Sequence, residues 1–285
     1  MDLEYKKSII SYYDNTRIDY RVLWYGNKNK AVHFGYYDQH VRSHNQALVN
    51  LNKVMALKAD VKDGDIILDA GCGRGGSSLW LAQNYNVHVS GITLVPHQVE
   101  KAQKAAKKEL PDRRVTFSEQ DYSNTNFEDE SFTLIWACES VCHANEKFDF
   151  YKEAFRLLKP GGRLICADYF RTKRPLPKEG EKLLHEWLDG WSINDIDTFH
   201  EHRKHAESSG FVDFEFVNIT QNTKPSLKHL HSMASKLWRF GIFLKGLGLR
   251  NNINHGNHLS SIRQYEALEK ELWIYGLLSL KKIDK

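Results

Sequence analysis

Residues Ile66–Gly76, I-I-L-D-A-G-C-G-R-G-G, constrain this chain more than any other stretch. An apolar run ends in Asp69, a glycine-rich turn follows, and Ser77-Ser78-Leu79-Trp80-Leu81-Ala82 opens a helical pattern. A strand that feeds such a turn and then a helix brings backbone N–H groups against a nucleotide-like ligand, because glycine allows the tight turn and the close approach. The spacing of Gly71, Gly73, Gly75 and Gly76 is G-x-G-x-G-G. A dinucleotide fold uses G-x-G-x-x-G, with pyrophosphate at the helix N-terminus. Asp69 at the strand end would repel a pyrophosphate but suits an amino group. Val87–Gly91 runs on into Ile92-Thr93-Leu94 with no acidic residue for a ribose, which disfavours an NAD-binding oxidoreductase. A glycine-rich loop without a ligand is the remaining reading of these residues taken alone.

Strand-like and helix-like patterns alternate from about Asp63 onward. Strands are expected at Ile66–Asp69, Val87–Gly91, Val115–Glu119, Phe132–Ala137, Arg163–Asp168, Phe211–Ile219 and Leu272–Lys281. Helices are expected from Ser77, over Pro96–Leu110, and over Lys147–Leu158, the last stopping before Lys159-Pro160-Gly161-Gly162. This order predicts an α/β fold, a Rossmann-like seven-stranded and mostly parallel sheet with helices on both faces. Ligands in such sheets bind at the carboxyl ends of the strands, where Asp69, Thr93, Asp121 and Glu139 all fall.

Two segments lie outside the alternation. Residues 1–60 carry Tyr5, Tyr12, Tyr13, Tyr20, Trp24, Tyr25, Tyr36 and Tyr37 and read as an N-terminal helical lid. Residues 61–285 form the ligand-binding domain, and within it 220–270 is a helical insertion before the last strand that walls the acceptor pocket. That insertion is apolar enough to require a core, a membrane surface or a greasy ligand against it.

The net charge of +4 is mild, and the densest basic run, Lys101–Lys108, has the spacing of a solvated helix face, so no nucleic-acid partner is expected. Cys72, Cys138, Cys142 and Cys166 lack zinc-site spacing, and the His229/His231 and His255/His258 pairs lack a third ligand, so no metal site is expected. Free thiols with neither a signal peptide nor an apolar run of membrane-spanning length suit the cytoplasm. Arg171, Lys173 and Arg174 read as a solvated basic loop, with an anionic head group as the alternative.

Four motifs resemble the S-adenosylmethionine (SAM)-dependent methyltransferases of class I, in the branch of the sterol C-methyltransferases, tocopherol methyltransferases and, more distantly, cyclopropane fatty acid synthases. They are Tyr12-Tyr13-Asp14 with Trp24 and His33–Tyr37; Leu68–Gly76; Gly91-Ile92-Thr93-Leu94 with Gln98; and Ala137–Ala144. The resemblance implies SAM as cofactor. It implies that Asp69, Gly71 and Gly73 hold the methionine part, and that Thr93, Leu94 and Gln98 contact ribose and adenosine. Asp121 and Tyr122 would lie at the adenine edge and Ala137 beside the methionine moiety, with Tyr12 and Trp24 closing the site from above. The sterol enzymes continue His-Ala-Pro where this chain has His143-Ala144-Asn145, and their sterol-binding segments are not recognisable, so a sterol does not follow.

Glu139 and His143, four apart, are the candidates for base and proton relay, with Tyr12 beside them. They would share a face if that stretch is helical. The expected activity is methyl transfer to a lipophilic small molecule, foremost C-methylation of a terpenoid, prenyl or sterol-like acceptor. O- or N-methylation of an aromatic or amine natural product is the alternative. Peripheral membrane contact and oligomerisation are left open.

Overall fold

The computed structural model describes residues 2–19, 29–112 and 114–284. A seven-stranded sheet runs through it in the order β3-β2-β1-β4-β5-β7-β6. Its strands are β1 (Ile66–Ala70), β2 (His88–Thr93), β3 (Val115–Glu119), β4 (Phe132–Cys138), β5 (Leu158–Arg171), β6 (Phe211–Asn218) and β7 (Trp273–Lys282). The first five are parallel, and β7 inserts antiparallel between β5 and β6. The chain order reverses between β1 and β4, so the connections leaving their carboxyl ends diverge and leave a crevice there.

Alternate side chains of the central strands feed two separate cores, as the period of two requires. Ile67, Leu134, Trp136 and Ile165 point to one face. Leu68, Ile135, Ala137, Leu164 and Cys166 point to the other. The first face is covered by α2 (His44–Lys58), α3 (Gly76–Asn84) and α4 (Pro96–Glu109), the second by α5 (Lys147–Leu157) and α7 (Phe199–Ser208). Burial of each such large aliphatic side chain contributes about 1.5–3 kcal/mol. Leu48, Leu51 and Met55 of α2 lie fully inside the first core. Within residues 1–60 it is therefore α1 (Leu3–Asn15), not α2, that lies over the crevice.

The helices α6 (Lys178–Gly190), α8 (Thr220–Gly246) and α9 (Asn252–Glu269) pack together, α9 against the other two, and α1 is tied to α9. Tyr12 donates its hydroxyl to Asn257 Oδ1 at 2.8 Å, Asn254 Nδ2 donates to the Asn15 carbonyl at 2.8 Å, and Tyr5 donates to the Ser192 carbonyl at 3.1 Å. One local expectation is corrected. Lys159–Gly162 does not separate α5 from the fifth strand but lies inside β5, which begins at Leu158. Phe132 pairs with Leu158 and Leu134 already with Arg163, so the extra residues bulge out. A bulge accommodates both the missing N–H of Pro160 and the positive φ of Gly161 (71°).

Candidate active site

The crevice at the β1/β4 switch point encloses about 790 Å³, counting its open mouth. It is lined by Asp69, Gly71, Gly73, Ser77, Thr93, Leu94, Gln98, Tyr122, Cys138, Glu139, Ser140 and His143 from the sheet's carboxyl edge. Ile9, Tyr13 and Lys30–His33 line it from the N-terminal segment. Nine positions singled out in the sequence thus converge: Asp69, Gly71, Gly73, Thr93, Leu94, Gln98, Tyr122, Glu139 and His143.

The loop after β1 owes its shape to its glycines. Gly71 has φ 96°, and a Cβ there would lie 2.3 Å from Ser140 Cβ. Its N–H and that of Cys72 both donate to the Ile92 carbonyl, at 3.0 and 2.9 Å, which locks the turn to the end of β2. Ser140 Oγ donates to the Ala70 carbonyl at 2.6 Å, locking the same turn to the end of β4. Asp69 is buried and accepts from Ser78 Oγ; burial pushes its carboxyl up to about 6 against that hydrogen bond. Thr93 Oγ1 donates to Gln98 Oε1 at 2.9 Å, which leaves the Gln98 amide N–H groups for other partners.

Three sequence-selected residues fall elsewhere. Ala137 is fully buried in the second core, one residue short of the crevice, because strand alternation turns Cys138 inward instead. Asp121 lies just outside the lining and pairs with Lys6 Nζ at 2.8 Å. Burial pushes its carboxyl up, but Lys6 and the Ser123 N–H outweigh this and hold it below the usual range. Tyr12 lies behind the crevice with its hydroxyl turned to Asn257, and its neighbour Tyr13 takes the lining position. Trp24 lies outside the described residues.

Glu139 has its own geometry. Its φ is 50°, and its N–H donates to the Ala167 carbonyl at 2.8 Å. The backbone then enters a short 3₁₀ turn, Val141–His143. Glu139 and His143 therefore do not share an α-helical face, contrary to the spacing argument. The Glu139 carboxyl accepts from the Tyr275 hydroxyl at 2.6 Å, from the Phe34 N–H at 2.6 Å and from the Tyr169 hydroxyl. The residue borders the crevice with one edge, yet its carboxyl lies deep, and desolvation pushes it up to about 8 against those three donors. His143 Nδ1 is 3.3 Å from the Ser192 carbonyl, which can only accept, so the proton sits on Nδ1. Nε2 then accepts from the Tyr13 hydroxyl at 3.2 Å. Burial lowers this imidazole to about 4, so it is neutral at physiological pH. The turn that carries it is pinned by Asp168, a buried carboxylate that accepts from the Cys142 N–H at 2.9 Å.

A second, smaller cavity of about 340 Å³, counting its open mouth, abuts the first and shares Tyr13, Val32, Glu139 and His143 with it. Its other walls are Tyr12, Cys142, Tyr169, Trp191 and Ile193. Tyr169 is ringed by Trp187, Trp273 and Tyr275 at 5.4–5.7 Å between centroids. Glu139 thus stands between a polar, glycine-walled crevice and an aromatic one. Sequence reading quotes Tyr13 and Ser140 within motifs but gives them no role, and it misses Tyr169 and Tyr275. Tyr169 and Tyr275 are register partners across β5 and β7, a pairing that only the insertion of β7 creates.

Arg171 is the last residue of β5, which corrects the solvated-loop reading for that residue, whereas Lys173 and Arg174 beyond it are exposed as that reading expects. Arg171 is buried and paired with Glu181; Arg174 pairs with Asp195 at 2.8 Å and Glu201 at 2.8 Å. Among the described residues no group of three His, Cys, Asp or Glu is placed to hold a metal ion. His258 Nε2 instead meets the Ala234 carbonyl, and His229 stacks on His44.

Comparison with known proteins agrees with this geometry. The family described as "Methyltransferase domain" matches residues 68–166, from the middle of β1 to the middle of β5. The 27-O-demethylrifamycin SV methyltransferase of Amycolatopsis mediterranei is 30% identical over 68% of this chain and 71% of its own length. Among solved structures, the (4+2)-cyclase SpnF superposes with a TM-score of 0.80 at 21% identity, over 97% of this chain and 96% of that one. The geranyl diphosphate C-methyltransferase of Streptomyces coelicolor A3(2), solved with Mg²⁺, geranyl diphosphate and S-adenosyl-L-homocysteine, does so with 0.72 at 19% identity over 98% of both chains.

Proposed function

We propose, for a chain that belongs to the SAM-dependent methyltransferases, that the acceptor is a lipophilic small molecule and that the methyl group is placed on carbon. The observation that carries this reading is the position of Glu139, a basic carboxyl at the seam between the crevice and an aromatic cavity. SAM supplies an electrophilic methyl on a sulfonium, the chemistry that the protein itself lacks.

The residues present fit such a cofactor. The cradle at Gly71 and Gly73 has no side chain to intrude, and Asp69 and Glu139 both border the crevice, which suits a ligand with an amino group and a cationic sulfur. Asp69 and the glycine turn hold the methionine end in this reading, Thr93, Leu94 and Gln98 the nucleoside, and α1 covers them. Methylation of an alkene leaves positive charge on the acceptor. The faces of Tyr12, Tyr13, Tyr169 and Trp191 stabilise it by about 0.5–2 kcal/mol per contact. Glu139 then takes the proton that restores neutrality, and its high proton affinity makes it a strong base for a carboxylate. Neutral His143 positions the Tyr13 hydroxyl over the seam. Arg171 and Arg174 are held by carboxylates, so a diphosphate head group gains no support from them. The free thiols suit a reducing compartment.

O-methylation is the second reading, favoured by the rifamycin relative. Incubation with methyl-labelled SAM and a panel of prenyl, terpenoid, phenolic and amine acceptors separates the two. Carbon-bound label in lipophilic acceptors is expected, and label confined to oxygen or nitrogen overturns the carbon reading.

Cofactor binding itself should move protons. At about pH 7 the Glu139 carboxyl is mostly protonated, and a cation arriving beside it lowers its proton affinity, so SAM binding releases protons. Calorimetry in buffers of different ionisation enthalpy should show this release for SAM and much less for the demethylated product, which lacks the sulfonium charge. Equal proton release for both would mean that the sulfonium does not sense Glu139.

A further inference from the structure

One surface of the molecule has no place in the methyl-transfer reading. Between Phe216 and Tyr265 the chain holds seven Lys and Arg and not one Asp or Glu, although the whole protein is nearly charge-balanced; Lys224, Arg250 and Arg263 pair with acids from outside this stretch. The second half of α8 lies in this stretch. Its inner face is fixed against α9: the Ala234 carbonyl meets His258 Nε2 at 2.7 Å, and a Cβ on Gly241 would come within 2.8 Å of the same ring. The opposite face carries Phe240, Phe243 and Leu247 at i, i+3 and i+7, exposed by 58%, 59% and 57%, and Leu249 beyond the helix is 73% exposed. Lys236, Arg239 and Lys245 are exposed among them, with no ion pair among the described residues.

We infer that residues 236–249 dock on the surface of an anionic lipid bilayer. Phe240, Phe243, Leu247 and Leu249 enter the boundary between head groups and acyl chains, and the three cations sit at the lipid phosphates. The charge pattern selects this occupant. In a two-fold contact between two copies, the same patch faces itself, so Lys236, Arg239 and Lys245, with no Asp or Glu in residues 236–249 to answer them, would be set against one another. A bilayer rich in anionic head groups complements both the greasy stripe and its rim. Insertion across the bilayer is not involved, since no helix among the described residues is long and apolar enough to cross a membrane. The docking helix also reaches the site. In its first half, Ser226 Oγ accepts from the Gly35 N–H at 3.0 Å, and the adjacent Phe34 N–H donates to Glu139. A lipophilic acceptor dissolved in the bilayer would thus be met by the helix that braces the reaction seam.

The test is co-sedimentation of the full chain with vesicles of phosphatidylcholine alone and of phosphatidylcholine with phosphatidylserine. Binding to the second but not the first is expected. It should weaken about five-fold for each cation removed in Lys236→Gln, Arg239→Gln and Lys245→Gln. Phe240→Ser with Phe243→Ser should abolish it while SAM affinity, read by calorimetry, stays at the wild-type value. Absence of binding to both vesicles, or binding indifferent to these substitutions, overturns the proposal. So does a wild-type dimer in sedimentation velocity that Phe240→Ser with Phe243→Ser makes monomeric, since a second copy would then be the occupant. Vesicle binding is read without turnover, so its failure leaves the methyl-transfer reading standing.

Discussion

Glu139→Gln should lower methyl transfer by about 10²–10⁴-fold, the range for loss of a general base, while SAM affinity changes only a few-fold. The substitution preserves shape. The amide oxygen still accepts from Phe34 N–H or Tyr275, and a tyrosine hydroxyl can rotate to accept from the new NH₂ group. What disappears is the capacity to hold a proton. Single-turnover rates at saturating cofactor, set beside equilibrium binding of SAM, make the measurement. Rate and affinity falling together would make Glu139 a structural residue, and an undiminished rate would remove it from the chemistry. Tyr169→Phe and Tyr275→Phe refine the test. Both hydroxyls lower the proton affinity of the carboxyl by donating to its charged form, so either loss should move the alkaline-active limb of the pH profile to higher pH.

Gly71→Ala should weaken SAM binding by about a hundred-fold, because two penalties of order 1–3 kcal/mol coincide. The backbone there has φ 96°, which a residue with a Cβ rarely adopts, and the new carbon would lie 2.3 Å from Ser140 Cβ. Ser140 cannot retreat easily. Its hydroxyl is bonded to the Ala70 carbonyl, and its own carbonyl accepts from Tyr122 at 2.8 Å. The turn must move instead, and with it the edge of the cofactor crevice. Gly73→Ala provides the contrast. Its φ of 53° is open to other residues at modest strain, and the nearest atom to a new Cβ is Val32 Cγ2 at 3.5 Å. The Gly73→Ala protein, which bears the backbone strain without the clash, should therefore lose less of its ligand-free melting temperature than Gly71→Ala. Calorimetry showing wild-type affinity for Gly71→Ala would mean that the cofactor does not rest on this turn.

Much of the crevice is legible in the sequence. Asp69, Thr93 and Glu139 stand at strand ends, and in a parallel sheet the strand ends share one edge. The glycine spacing and the residues after the second and fourth strands then pointed to one ligand class. Where the reading failed, the cause was through-space. The interval of four between Glu139 and His143 suggests a helix face, but Glu139 takes a left-handed conformation and a 3₁₀ turn follows, so each side chain finds separate partners. Tyr12 and Tyr13 are indistinguishable in an aromatic-rich segment, and only the docking of α1 onto α9 turns one hydroxyl to Asn257 and the other to His143. Arg171 and Arg174 look like a free basic loop until Glu181, Asp195 and Glu201 fold back onto them.

The sequence by itself determined the sheet, the glycine turn and the family. Those depend on short-range patterns: alternation of apolar residues, a turn that tolerates only glycine, an acid at a strand end. The tertiary structure alone decided what Glu139 is. Its proton affinity is set by burial, which raises it, against hydroxyls 30 and 136 residues away in the chain, which lower it, one of them delivered by a strand that slips in between β5 and β6. Desolvation and through-space hydrogen bonds are properties of packing, and nothing in the local sequence around a carboxylate records them.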